Sequence, residues 1–189
     1  SLLAQDMLEE AESCYREAIA LKPDFAQAHF NLGVTLQKLA KKAEAELCYR
    51  EAIKLKPDYA GAYLNLGNTL KDQGRLQEAE ASYRKAIEKR PDVPLFYINL
   101  GNILKQFDRF DEAEASYRKA IELNPDYAEA QFNLGNTLKQ LDRLHDAKES
   151  YKKAIALKSD YAEAHNNLGA TLYALSSLQE AESSYRRAI

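Results

Sequence analysis

The chain has 189 residues, with 26 lysines and arginines against 29 aspartates and glutamates and a formal net charge of −3. This balance lacks the basic face that nucleic acids require, and no apolar run is long enough to cross a bilayer. The composition therefore argues against nucleic-acid binding and membrane insertion, and predicts a soluble cytoplasmic chain. Cys14 and Cys48 lie one repeat apart and are predicted to be free thiols.

A six-residue pattern, Asn-Leu-Gly followed by three residues that end in Leu, recurs every 34 residues. A fixed period of this length indicates a solenoid, in which each repeat packs only on its neighbours. We therefore expect a single array over residues 1–189. Its parts are a partial repeat at 1–25, full repeats at 26–59, 60–93, 94–127 and 128–161, and a truncated repeat at 162–189.

Each repeat is predicted to contain two helices, as repeat 60–93 illustrates. Leu66, Gly67 and Leu70 fall on one face of a first helix. A second amphipathic helix follows Gly74, and an aspartate placed shortly before the next first helix predicts a side-chain N-cap. The aspartates at this position are Asp24, Asp58, Asp92, Asp126 and Asp160.

The glycine of the pattern is predicted to mark the closest contact between the two helices. A glycine inside a helix costs about 1 kcal/mol relative to alanine. Keeping that cost in every copy implies that the helix backbones approach closely there, so Gly101→Leu is expected to destabilise the fold by overpacking. The five copies are Gly33, Gly67, Gly101, Gly135 and Gly169.

An aromatic residue precedes the Leu-Gly pair, and an alanine, a second aromatic residue and a proline follow. In repeat 94–127 these positions hold Tyr97, Leu100, Gly101, Ala113, Tyr117 and Pro125. The arrangement resembles the tetratricopeptide (TPR) family over essentially the whole chain. That resemblance implies an all-α, right-handed superhelical solenoid of helix-turn-helix repeats, with the first helices lining a concave groove that binds a protein or an extended peptide.

The first helices also carry polar residues outside their apolar stripe, which the resemblance places in the groove. An amide offers both a donor and an acceptor to a peptide backbone, so these residues are predicted to hold an extended peptide. The alternative is that each asparagine bonds to the adjacent helix and sets the stacking distance. The residues are a ladder of Asn31, Asn65, Asn99, Asn133 and Asn167, a second rung of Asn68, Asn102 and Asn136, and a row of Lys71, Lys105 and Lys139.

An apolar residue precedes four of the ladder asparagines: Phe30, Leu64, Ile98 and Phe132. If exposed, these residues provide apolar groove contacts for a ligand. The favoured alternative is that they pack between adjacent first helices. The lysine row is likewise either a groove feature or a solvated edge.

No catalytic, cofactor or metal site is predicted. His29 and His165 lie four repeats apart and cannot share a metal ion, and no Cys-x-x-Cys, phosphate loop or nucleophile motif occurs. The chain is therefore expected to be non-catalytic by itself.

Three functions remain open at this point. The first is a scaffold that binds an extended peptide through the asparagine ladder. The second is the substrate-recognition arm of a larger glycosyltransferase, because the ladder resembles that of the O-linked N-acetylglucosamine transferase repeats. The third is an element that self-associates end to end through uncapped terminal repeats. The chain starts without Met and stops inside a helical pattern, so it is expected to be part of a longer array.

Overall fold

The structure, a computed structural model, describes residues 2–188. No strand occurs in this range, and eleven helices follow one another with short turns between them. They are α1 (Leu2–Leu21), α2 (Ala26–Lys38), α3 (Lys42–Leu55), α4 (Ala60–Asp72), α5 (Leu76–Lys89), α6 (Pro94–Gln106), α7 (Phe110–Leu123), α8 (Ala128–Gln140), α9 (Leu144–Leu157), α10 (Ala162–Ala174) and α11 (Leu178–Arg187). The all-α, repeated helix-turn-helix organisation expected from the sequence is confirmed.

The chain forms two compact units, Ser1–Pro91 and Asp92–Ile189. In the first unit α2 packs on α3 and α4 on α5, and α3 also contacts α4. In the second unit the pairs are α6 with α7, α8 with α9 and α10 with α11, and each pair packs on the next. The even-numbered helices α2, α4, α6, α8 and α10 are the first helices of their repeats.

Each pattern glycine faces the ring of a tyrosine from the second helix of its own repeat. A Cβ built on Gly67 would lie 2.6 Å from Cε1 of Tyr83, and one built on Gly101 would lie 2.7 Å from Cε1 of Tyr117. Both tyrosines are completely buried. The glycine is therefore needed for close packing, as expected, but a tyrosine ring occupies the space that was assigned to an approaching backbone.

The turn inside each repeat places one residue in the left-handed region. Gly74 has a φ of +77°. The first helix of its repeat ends with two main-chain hydrogen bonds: Arg75 N donates to Leu70 O at 2.9 Å, and Gly74 N donates to Lys71 O at 2.9 Å. This pair of bonds is a Schellman C-cap, which favours glycine at the left-handed position. The other repeats hold a residue with a Cβ there: Ala40, Asp108, Asp142 and Ser176.

The predicted aspartate N-caps are wrong. The residue before each first helix is instead the one after the aspartate, and none of these residues makes a side-chain cap bond. Main-chain carbonyls accept hydrogen bonds from N–H groups in the first turn of the helix. Ala62 N, for example, donates to Tyr59 O at 3.0 Å. The N-cap residues are Phe25, Tyr59, Val93, Tyr127 and Tyr161.

Candidate functional site

The candidate site is the set of polar side chains on the first helices that lie outside the apolar core stripe. We call this set the first-helix face. It comprises the asparagine ladder, the second rung and the lysine row, and it is described separately for each unit. In the first unit it is carried by α2 and α4, and in the second unit by α6, α8 and α10.

Buried tyrosines of the second helices hold the second-rung asparagines. The Tyr117 hydroxyl donates to Asn102 Oδ1 at 2.7 Å, and the Tyr151 hydroxyl donates to Asn136 Oδ1 at 2.8 Å. Tyr83 holds Asn68 in the same way in the first unit, at 2.8 Å. The amide carbonyls of all three asparagines are thus used inside the fold.

Burial keeps these tyrosines as hydrogen-bond donors. Removal from water raises the pKa of the Tyr83, Tyr117 and Tyr151 hydroxyls well above its ordinary value. The hydroxyl proton is therefore present across the physiological pH range. An asparagine that receives it must present its carbonyl oxygen, which fixes the direction of the amide group.

The ladder and the second rung meet between α8 and α10. Asn167 donates its Nδ2 to Asn136 Oδ1 at 2.8 Å, so that oxygen accepts from both Tyr151 and Asn167. The carbonyl of Asn167 and the amide nitrogen of Asn136 bond to no other group in the part of the chain that the structure describes. One free acceptor and one free donor therefore lie side by side on two neighbouring helices.

The amide network differs in the first unit because Val34 occupies the second-rung position of α2. Tyr49 consequently donates to Gln37 Oε1, at 2.9 Å, rather than to an asparagine. Asn31 accepts from Gln27 Nε2 at 2.9 Å, and Gln27 in turn accepts from the Tyr59 hydroxyl at 2.8 Å.

The remaining ladder asparagines differ in exposure. Asn65 and Asn99 are half-buried, whereas Asn133 is 9% exposed. The ladder position thus lies deeper than the second rung on α8, where Asn136 is half-buried.

Two of the four candidate apolar contacts are held between aromatic rings. The Phe132 ring centroid lies 6.0 Å from that of Tyr151 and 4.9 Å from that of Tyr161, at the start of the next repeat. Phe30 has the corresponding neighbours in the first unit. Such contacts stabilise the stacking of repeats, while the half-buried rings keep one side open.

The other two apolar residues are aliphatic. Leu64 is half-buried, but Ile98 is only 1% exposed and presents no surface to a ligand in the free chain. The sequence pattern could not separate these environments, because all four residues occupy the same repeat position.

The lysine row lies one helical turn beyond the second rung. Lys71 and Lys105 are half-buried and Lys139 is exposed. Burial lowers the pKa of Lys105 below its ordinary value, and no carboxylate contributes to that shift.

Many charged residues of the second helices form ion pairs with one another. Pairs four residues apart form within these helices, as between Glu46 and Arg50 at 2.9 Å. The sequence analysis did not predict a second set of ion pairs, between residues 29 apart, which join consecutive repeats. Arg75 reaches Glu46 at 2.7 Å, and Arg143 reaches Glu114 at 2.7 Å. The 29-residue spacing, repeated in both units, was the available signal.

Glu46→Gln is expected to lower the free energy of unfolding by about 1 kcal/mol at neutral pH. Burial alone would raise the pKa of Glu46, but hydrogen bonds from Arg75, Arg50 and Gln73 outweigh it and lower that pKa. A carboxyl whose pKa is lower in the folded state stabilises the fold above its unfolded pKa. That stability is lost as the pH falls through the folded pKa.

Urea unfolding of the wild type and of Glu46→Gln at about pH 7 and about pH 3 measures this dependence. The difference between the two proteins should shrink at the lower pH. Glu51→Gln is the control, since Glu51 pairs with the exposed Lys54 and with no other basic residue among residues 2–188. A Glu46→Gln effect no larger than that of the control would contradict the role of the inter-repeat pair.

Among residues 2–188, no group of three His, Cys, Asp or Glu side chains is placed to hold a metal ion. None of the described helices is long and apolar enough to cross a membrane.

Comparison with known families decides the classification. A TPR-repeat family model matches residues 1–39, 101–142 and 136–176, and a second tetratricopeptide-repeat model matches residues 35–94. The chain belongs to the TPR-repeat family. It is thus a repeat array of the class that serves as protein-interaction scaffolds. No curated protein matches the sequence of this TPR chain at a significant level.

Solved TPR proteins share the fold. YrrB, a TPR protein with an unusual peptide-binding site, is 23% identical with a TM-score of 0.80, over 93% of this chain and 90% of its own. MamA is 25% identical with a TM-score of 0.79, over 83% of this chain and 92% of its own. PilF from Pseudomonas aeruginosa is 22% identical with a TM-score of 0.77, over 86% of this chain and 74% of its own.

Proposed function

We propose that this TPR chain is a scaffold that holds an extended peptide segment of a partner protein on its first-helix face. The asparagine side chains bind the main chain of that segment. The observation that carries the proposal is the pair of bonds from Tyr117 to Asn102 and from Tyr151 to Asn136. These bonds use the carbonyl of each amide and leave its two N–H groups as the available donors.

The chemistry of the remaining groups matches a peptide backbone. Asn102 and Asn136 can donate to main-chain carbonyls, and the free carbonyl of Asn167 can accept from a main-chain N–H. Neighbouring helices lie about 10 Å apart, and an extended chain rises about 3.3 Å per residue. Successive first helices therefore meet about every third residue of a bound segment.

An entirely structural role would engage both ends of each amide. The side-chain carbonyls stabilise the fold by accepting hydrogen bonds from the buried tyrosines, and this explains in part why asparagine occupies these positions. The amide nitrogens of Asn102 and Asn136 donate to no atom in the described residues, which favours a ligand as their acceptor. YrrB, which shares the fold, is itself a peptide-binding TPR protein.

The double variant Asn102→Ala/Asn136→Ala is expected to weaken peptide binding at least about tenfold, since each lost bond to the ligand is worth about 1 kcal/mol. Peptides are first selected on the wild-type chain from a random library of short, unstructured sequences. Their affinities for the wild type and the variant are then compared by fluorescence anisotropy. Circular dichroism verifies that the variant keeps its helices.

The matched control is Lys119→Ala/Lys152→Ala, which changes two side chains of the second helices. It should bind the selected peptides as the wild type does. Failure to enrich any peptide, or equal affinity for the wild type and the asparagine variant, would refute the proposal. The glycosyltransferase arm and end-to-end self-association stay predictions from the sequence.

A further inference from the structure

The ion pairs between residues 29 apart have a fixed order of charge. The acidic residue lies on a second helix, and the basic residue comes directly before the next second helix. In the second unit, Arg143 is the N-cap residue of α9 and lies 2.7 Å from Glu114 of α7. The sequence keeps this order at four consecutive pairs of positions: Glu12 and Lys41, Glu46 and Arg75, Glu80 and Arg109, and Glu114 and Arg143.

The last repeat departs from this order at both positions. Lys148 of α9 occupies the place of the acidic residue, and Ser177, the N-cap residue of α11, occupies the place of the basic residue. The charge on α9 is therefore reversed, and its counterpart is a neutral hydroxyl. No pair of opposite charges joins these two positions, as Glu114 and Arg143 join the preceding ones.

Lys148 has no carboxylate within hydrogen-bond distance. Its side chain is 25% exposed, and the nearest carboxylate among residues 2–188 is that of Glu149, 3.8 Å away on the same helix. That distance exceeds the roughly 3.2 Å limit of a good hydrogen bond. The same Glu149 oxygen also lies 4.0 Å from Lys152. The Lys148 ammonium, which has three N–H donors, is therefore able to bond to a closer anion.

Ser177 is oriented towards this position by its backbone. Its φ and ψ are −89° and 64°, and those of Arg143 are −92° and 65°, so the two side chains leave the main chain in the same way. The Ser177 hydroxyl forms no hydrogen bond in the part of the chain that the structure describes. A phosphoserine is shorter than an arginine, but Lys148 is longer than the glutamate it replaces. The two differences compensate each other.

The segment around Ser177 is accessible to another protein. Ser177 is half-buried in the turn between α10 and α11, and Ser176 beside it is exposed. The large side chains on either side of the turn are exposed as well, with Tyr173 at 66% and Leu178 at 61%. One acidic residue, Glu180, follows Ser177 by three positions. Its side chain is exposed, so water and salt screen its repulsion of a nearby anion.

We propose that Ser177 is a phosphorylation site and that its phosphate pairs with Lys148. A serine/threonine protein kinase would transfer the γ-phosphoryl group of ATP to Oγ of Ser177. The new Oγ–P bond replaces the bond from the γ-phosphorus to the oxygen that it shares with the β-phosphate, ADP leaves, and the hydroxyl proton passes to solvent. The phosphate carries a charge of about −1.5 to −2 at pH 7.

The modified repeat would possess the same kind of inter-repeat ion pair as the others, with the two charges exchanged. Phosphorylation would thereby fasten α11 to α9 and stabilise the last repeat. This inference is independent of the peptide-binding function proposed above, because Lys148 and Ser177 lie outside the first-helix face.

The first experiment tests whether Ser177 accepts a phosphate. The full chain is incubated with Mg²⁺, ATP and an acid-directed serine/threonine kinase, which selects a carboxylate three residues after the target. Ser177 is the only serine of the sequence with such a carboxylate, and Thr69, which precedes Asp72 in the same way, is buried. Mass spectrometry should locate phosphate on Ser177 and find none in Ser177→Ala. Absence of phosphate from Ser177 in the wild type would overturn the proposal.

The second experiment measures the effect of the phosphate on α11. Phosphoserine is incorporated at position 177 during synthesis of the full chain, and hydrogen exchange reports the opening of α11. We expect exchange of the α11 amides to slow about fivefold. The effect should disappear in Lys148→Gln and reverse in Lys148→Glu, where like charges meet. An unchanged exchange rate in the wild type, or equal slowing in the wild type and Lys148→Gln, would refute the pairing.

A matched variant without phosphate is the control. Lys148→Glu/Ser177→Arg restores the order of charge found in the other repeats and should also slow exchange in α11 about fivefold. If this double variant slows exchange and phosphoserine does not, these two positions accept an ion pair but not the proposed one. That result would contradict the proposal.

Discussion

Gly67→Ala is expected to lower the free energy of unfolding by about 2 kcal/mol, whereas Gly61→Ala in the same helix should raise it by about 0.5–1 kcal/mol. The added Cβ at Gly67 would lie 2.6 Å from Cε1 and 2.8 Å from Cδ1 of Tyr83, which is completely buried. At Gly61 the nearest atom is 3.6 Å away, so only the gain in helix propensity remains.

Chemical denaturation followed by circular dichroism measures both variants. Because both substitutions replace glycine by alanine within α4, helix propensity favours the variant in each case. Opposite signs are the expected result, and two stabilised variants would show that the tyrosine ring does not require the glycine. Gly101→Leu, whose larger side chain meets Tyr117, should be more destabilising than Gly67→Ala.

Tyr117→Ala is expected to cost about 4 kcal/mol of stability, because it removes a completely buried ring. Tyr117→Phe keeps the ring and removes only the hydroxyl that donates to Asn102, so it should cost about 1 kcal/mol. The second variant also tests the binding site. Without the hydroxyl, the Asn102 amide is free to rotate, and affinity for the selected peptides should fall severalfold although Asn102 itself is unchanged.

Tyr185→Phe is the control for this effect. Tyr185 occupies the same repeat position on α11, but the position of Asn102 is held there by Ala170, so no amide depends on the hydroxyl. We expect Tyr185→Phe to leave peptide affinity unaltered. Peptide affinity unchanged by Tyr117→Phe would show that the tyrosine does not position the amide.

The helices could be predicted from the sequence because the same residue classes return to the same position in every repeat. Leu66, Gly67 and Leu70 define one face wherever the pattern recurs, and repetition removes the ambiguity of a single short helix. The importance of the glycine could also be predicted from the sequence, because every copy of the pattern keeps a residue that is unfavourable inside a helix. That a tyrosine ring fills the space beside it required the three-dimensional packing.

Other features depend on geometry that periodicity does not contain. Asp58 looked like an N-cap because of its residue type, but Tyr59 is the N-cap and the main chain closes the turn. The pairing of Glu46 with Arg75 depends on which second helices are adjacent. The direction of the Asn136 amide depends on a tyrosine 15 residues away. Each requires knowledge of neighbours in space.

We propose that amide groups on the first helices bind the main chain of a partner. The most direct measurement follows the side-chain NH₂ resonances of the asparagines by NMR while a selected peptide is added to the isotopically labelled chain. We expect the resonances of Asn102 and Asn136 to shift and to reach saturation at the measured affinity. Shifts confined to the outward faces of α7 and α9, with both amide resonances unmoved, would contradict it.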